Sequence, residues 1–208
     1  MITEISFWQQ VNTQFMQTTW LEWLGTVSGF LCVYLAAKQH ILNWPLAIIS
    51  ITSYLFLFYE YKLYGDSALQ IYFLATSIYG WRFWIKRKAS FEVPVSALTR
   101  KETIIAVLSI LFLSGLTGVI LDLKTDSDVP YADAFCTSVS LVAQFLLTRK
   151  IIQNWTLWII VDICYIPLYL HKELYLTAML YALFLILAVM GFADWKKTYL
   201  KSKAILLE

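Results

Sequence analysis

The chain has 208 residues, 60% of them apolar and 14% charged, and carries a net charge of +2. A soluble globular domain is roughly 45–50% apolar and about 25% charged, while a disordered chain is poor in the aromatic residues that make up 17% of this one. The near-neutral balance also excludes a nucleic-acid binder, which gathers basic residues on one face; what remains is a chain whose solvent is mostly lipid.

Residues 1–19 contain no Lys or Arg and no continuous apolar core, so no cleavable signal is predicted there. Phe7, Trp8, Val11 and Phe15 fall on one helical face, which predicts an outer-side segment lying in the membrane interface or left as a tail. Seven stretches then approach the ~20 apolar residues that a spanning helix needs: 20–37, 44–61, 67–85, 103–121, 131–148, 155–170 and 174–193. Pro45 and Pro130 stand where a helix begins and a missing N–H costs nothing. The breaks carry charge and turn formers, as in Lys38-Gln39-His40, Lys62 before Gly65-Asp66, and the acidic run Asp122 to Asp128. Cys32, Cys136 and Cys164 lie within apolar spans and read as small core residues rather than a disulfide framework.

The fold class is therefore an all-α membrane protein of seven transmembrane helices. Counting Lys and Arg on alternate sides puts three (Lys62, Lys124, Lys172) with the N-terminus and thirteen on the other side. The positive-inside rule predicts the N-terminus outside and the tail 194–208 in the cytoplasm.

An internal repeat organises the spans. Residues 43–84 align with 154–195 at a constant offset of 111, with 14 of 42 positions identical. Asn43-Trp44, Tyr54, Leu63-Tyr64, Gly80 and Trp84 meet Asn154-Trp155, Tyr165, Leu174-Tyr175, Gly191 and Trp195. Four spans separate equivalent points, so both copies cross the bilayer in the same direction. The predicted organisation is a three-helix unit (20–85), a linker helix (103–121) and a second three-helix unit (131–193). Parallel repeats of this kind hold substrate near the midplane between the halves in many transporters, although duplicated channels and receptors exist too.

An acid inside a span costs roughly 2.5–3.5 kcal/mol at a helix centre. Asp162 is the one acid well inside a span, and its repeat mate is Ile51. Asn154, Trp155, Trp158, Asp162, Tyr165 and Tyr169 share one broad face of the sixth helix. Asp162 lies about 12 Å in from the inner end at 1.5 Å per residue. Gln144 on the fifth span reaches a similar depth. An acid, an amide and paired indoles suit a flat cationic ligand; the alternative is that Asp162 and Gln144 bond each other or a helix backbone. Gln70 is a candidate for an outer vestibule, and Tyr54 and Tyr165 for flanking the pathway from both halves. Capping is the expected role for Asn43. Trp44, Trp81, Trp84 and Trp195 are placed at the inner interface; Trp84 and Trp195 are read as lipid anchors, and Trp44 and Trp81 are kept as candidate substrate contacts.

No enzyme motif is present: His40 and His171 lie in loops on opposite sides, and no HExxH, phosphate loop or nucleophile elbow occurs. Asp122, Asp126, Asp128 and Asp133 lack the spacing of a calcium loop and read as a solvated acidic stretch. Neither a metal nor a cofactor is expected.

The runs NWPLAIISITSYLFLFYEYKLYGDSALQIYF, YGWRFW, DAFCTSVSLVAQFLLTRKIIQNWTLWIIVD and LYLTAMLYALFLILAVMGFADW closely resemble the PnuC family of vitamin-precursor transporters over about residues 20–197. The resemblance implies a seven-helix fold like a full-length SWEET sugar transporter, assembled as a homotrimer. It further implies facilitated diffusion of nicotinamide riboside across the bacterial inner membrane, drawn inward by a cytoplasmic kinase. The family's tryptophan motif falls on Asn154, Trp155 and Trp158, and its glutamines on Gln70 and Gln144. Relatives with Asn at the place of Asp162, and others assigned to thiamine or riboflavin, leave thiamine as the runner-up substrate. An Asp suits a pyridinium or a thiazolium alike and weighs against neutral riboflavin.

Overall fold

A computed structural model describes residues 7–60, 64–88, 95–125, 129–171 and 173–205. Among them are eight helices: α1 (Phe7–Gln17), α2 (Trp20–Ala37), α3 (Asn43–Glu60), α4 (Tyr64–Lys88), α5 (Arg100–Lys124), α6 (Pro130–Thr148), α7 (Gln153–His171) and α8 (Tyr175–Ile205). Four of them, α2, α5, α6 and α8, are long and apolar enough to cross a membrane on those measures alone. The sequence places breaks at Lys62 and Lys172, and puts Asp126 and Asp128 in the acidic run; these positions lie outside the described residues.

Local chemistry explains the helix ends. Thr19 and Glu22 form a capping box at the start of α2, and Thr99 and Glu102 form another at the start of α5, so backbone N–H groups left over by the first turn find acceptors. α2 and α6 end alike. Gln39 and Lys150 take φ of 55°, and the next N–H in each case reaches back to the carbonyl of Leu35 or Leu146. This is a Schellman closure with a side chain where glycine is usual, and it turns the chain sharply into α3 and α7. Pro167 stays inside α7 rather than ending it. The connection before α5 is pinned beneath the α6–α7 turn, where Ser96 pairs with Ile151 and the Leu98 N–H donates to Gln153 Oε1 at 3.0 Å.

Packing joins the helices into a ring. α2 packs on α3 and α3 on α4; α6 packs on α7 and α7 on α8; the seams α2 against α8 and α4 against α6 close the circle. The 111-residue offset exchanges these two seams, as a two-fold axis through the ring would. Among the described residues α5 packs on α6 alone, and its outer face (Ile104, Ile105, Leu108, Leu111, Phe112) is exposed, as a surface solvated by acyl chains would be. α1 is not a loose tail: it packs on α8, and Gln14 bonds the Glu173 carbonyl and the Leu176 N–H across the chain.

Two sequence-based expectations are corrected here. Trp84 and Trp195 are not lipid-interface anchors: they are 4% and 0% exposed and sit inside the ring. Hydropathy places an indole at a depth along a helix, but not on its lipid or its inner side. Asn43 does not cap α3 in the usual sense, because its side chain donates to the His40 carbonyl at 2.6 Å instead of accepting from the first turn.

Candidate functional site

Four indoles close the cationic end of the ring. Trp44 begins α3 and stands edge-on to Trp84 at 5.3 Å; Trp155 begins α7 and stands edge-on to Trp195 at 5.6 Å. Trp84 and Trp195 approach each other at 6.2 Å. The anchoring hydrogen bonds cross between the halves: Trp84 Nε1 donates to the Thr148 carbonyl at 3.2 Å, and Trp195 Nε1 to that of Ala37 at 3.1 Å. Residues 37 and 148 are themselves 111 apart, so the two bonds are equivalent under the repeat. The absent side chains of Gly80 and Gly191 admit the Trp44 and Trp155 rings; a Cβ there would lie 2.3 Å and 2.7 Å from them. Hence the Gly-xxx-Trp ending of each repeat is a packing device for this floor.

The floor leaves loose ends. The indole N–H groups of Trp44 and Trp155 and the Oδ1 atoms of Asn43 and Asn154 are buried with no partner among the described residues. Each such group costs about 1–3 kcal/mol, which weighs against this closed arrangement relative to one that wets them.

Beyond the floor, α7 presents Trp158, Asp162, Tyr165 and Tyr169 in successive turns. Asp162 stands seven residues past Trp155, about 10 Å deeper along the helix. It is 4% exposed and has no hydrogen bond or ion pair among the described residues. Tyr165 and Tyr169 stack at 5.3 Å, and Tyr181 of α8 closes on both at 5.0 Å. The acid thus lies between a tryptophan floor and a tyrosine cage. A carboxyl this dry is costly to ionise unless a cation comes to stand beside it, since among the described residues nothing balances its charge, and the surrounding rings favour a ligand of that sign.

The opposite half is built on the same plan with different chemistry. Tyr54 bonds Thr26 at 2.8 Å, as Tyr165 faces Thr137, and Tyr54 stacks on Phe58 as Tyr165 does on Tyr169. But Ala47, Ile51 and Val33 occupy the places of Trp158, Asp162 and Gln144. The arrangement is therefore one-sided, with charge and broad aromatic faces from the second unit and smaller aliphatic walls from the first.

The predicted residues thus divide. Trp158, Asp162 and Tyr165 come together along α7. Trp44, Trp155 and Asn154 belong to the floor, and half-buried Trp81 packs against it. Gln144 is buried and bonds Ser77 of α4 at 3.4 Å, so the alternative in which it partners Asp162 is not what is observed. Tyr54 and Gln70 are half-buried on the first unit. Tyr181 escaped the sequence reading, yet it is the repeat mate of Gln70, and the offset could have found it. Among the described residues no cluster of His, Cys, Asp or Glu could hold a metal ion.

Comparison with known proteins places these features in context. The profile of the nicotinamide mononucleotide transporter family matches residues 19–197. The nicotinamide riboside transporter PnuC of Escherichia coli K12 is 26% identical, with 85% of each chain covered. That of Neisseria mucosa is 29% identical over 91% of this chain and 76% of its own. The riboflavin/roseoflavin transporter RibM of Streptomyces davaonensis is 24% identical over 85% of this chain and 84% of its own. A crystal structure of the vitamin B3 transporter PnuC superposes with a TM-score of 0.72 at 27% identity, covering 94% of this chain and 88% of that one.

Proposed function

The chain belongs to the nicotinamide mononucleotide transporter family, a multi-pass membrane transporter rather than an enzyme, and from that premise we propose that it carries nicotinamide riboside into the cell by facilitated diffusion. The observation that carries the choice of ligand is Asp162, buried and without a cationic partner among the described residues, one turn from Trp158. A pyridinium supplies the missing charge and a flat ring for the indole face. Neutral riboflavin would leave the carboxylate unbalanced. Thiamine, whose thiazolium is also a flat cation, is the second reading that Asp162 favours.

In this reading α2 to α8 all span the bacterial inner membrane as a 3+1+3 duplication, with the N-terminus outside and the cationic end in the cytoplasm. Substrate sits between the two three-helix units, in contact with Trp158, Asp162 and Tyr165, with Tyr54 and Gln70 across from them. The tryptophan floor is the closed cytoplasmic exit; its crossed indole bonds break when the units rock apart and water reaches Asn43, Asn154, Trp44 and Trp155. No ion gradient is consumed, and phosphorylation by a cytoplasmic kinase keeps the product inside. The functional assembly is a homotrimer.

Calorimetric titration of the purified protein with nicotinamide riboside, thiamine and riboflavin tests the substrate, and the expected order is the cations ahead of riboflavin with nicotinamide riboside tightest. Proteoliposome uptake that saturates and persists after ion gradients are collapsed is expected for uniport. Uptake abolished by that collapse would overturn the mechanism.

A further inference from the structure

The two seams of the ring are related by the repeat but differ in charge at their cationic ends. In the seam of α2 against α8, Lys38 pairs with Asp194 at 2.7 Å. In the seam of α6 against α4, the equivalent cation is Arg149, and the place of Asp194 is taken by Phe83. Arg149 lies over the rings of Phe83, Tyr79 and Phe145 at 5.2, 5.6 and 5.8 Å. Rings hold the face of a guanidinium and leave its N–H edges available. Arg149 is exposed, and among the described residues no carboxylate pairs with it. One seam is thus neutralised from within, and the other presents a cation held in place with its donors unused.

Beside that cation runs a groove of about 470 Å³ between α4, α5 and α6, open at the outer surface of the ring. Its walls are almost wholly apolar, with Ile105 and Leu113 of α5 facing Leu141 and Phe145 of α6. Phe145 both lines the groove and lies under Arg149, so the charged and apolar parts are continuous. Glu102 also lines it, but its Oε2 is occupied by the Thr99 N–H and hydroxyl at 2.8 Å each.

We infer that this crevice binds an anionic phospholipid, with the phosphate on the Arg149 guanidinium and an acyl chain along the groove. A basic residue at a helix end beside an apolar inter-helix groove is complementary to that ligand in both parts, whereas the neutralised seam at Lys38–Asp194 is not. The site lies on the outside of the ring and does not depend on which vitamin is carried.

The test is native mass spectrometry of the full-length protein, released from detergent containing equimolar phosphatidylglycerol and phosphatidylcholine. About a fivefold excess of bound phosphatidylglycerol is expected, given what one basic residue contributes to anionic-lipid binding. Arg149→Gln should bring the ratio near one, Lys38→Gln should leave it unchanged, and Ala106→Trp, which fills the groove, should lower retention of both lipids. Each variant is scored only when it melts like the parent protein. Equal retention of the two lipids by the parent, or an excess that survives Arg149→Gln, would overturn the inference. So would an Ala106→Trp variant that dissociates an oligomer while holding lipid as before, since the groove would then be filled by a second copy of the chain.

Discussion

Replacing Asp162 with Asn changes one charge at nearly constant shape, in a place where the carboxylate is 4% exposed and has no counter-ion among the described residues. A ligand cation about 4–5 Å away would gain roughly 3–4 kcal/mol at an effective dielectric of 20. Stripping water from the ligand returns part of this, leaving about 1.5–3 kcal/mol, the usual worth of a hydrogen bond to a charged group. That is about a 10- to 150-fold weakening of nicotinamide riboside binding. The same change removes a buried acid that has no counter-ion among the described residues, so the ligand-free variant should melt no lower than the parent. The discriminating assay is calorimetry with nicotinamide riboside and its neutral dihydro form, whose rings differ little in size. The parent protein should prefer the cation, and Asp162→Asn should lose that preference while still binding the neutral ligand. A cation preference unchanged in the variant would refute the counter-ion role and return Asp162 to helix packing.

The floor makes its own predictions. Gly80→Ala and Gly191→Ala each drive a Cβ into an indole backed by another indole, at 2.3 Å and 2.7 Å; overpacking of about 1–3 kcal/mol should appear as a lowered melting temperature, larger for Gly80. Trp195→Phe keeps an aromatic side chain but shrinks the indole to a phenyl ring and removes the donor to the Ala36 and Ala37 carbonyls, so access of a water-soluble thiol reagent to a cysteine introduced at Ala47 should rise; no change would show that the crossed bonds do not hold this end shut. The Asp194 carboxylate, through its hydrogen bond and its charge, holds the Lys38 ammonium above its ordinary value of 10.5. A raised value means the pair is fully formed below the ordinary one and is lost only as pH climbs through the raised one. The effect of Lys38→Gln on melting should therefore be flat from about pH 6 to about pH 9 and shrink with added salt; a marked pH dependence in that window would point to another group.

Much of this was legible in the chain itself. Apolar runs and the charges between them are local properties, and they placed α2 to α7 to within three residues at each end. α8 instead continues to Ile205, through most of the segment 194–208 that the apolar pattern marks as a tail, because a helix does not stop where its apolar run does. The 111-residue offset picked out the Asn-Trp and Gly-xxx-Trp pairs, and the 3.6-residue period put Trp158, Asp162 and Tyr165 on one face of α7. What the sequence could not supply was the lateral partner of each face, because that depends on residues more than a hundred positions away. An indole near a helix end has the same hydropathy whether it meets lipid or another indole, so only the closing of the ring turned Trp84 and Trp195 from anchors into a floor. Likewise Gln144 and Asp162 share a depth, but the α4–α6 seam gives the amide to Ser77 and leaves the acid without a hydrogen-bond partner among the described residues. Depth and period are written along one helix; who faces whom is decided by six helices packing at once.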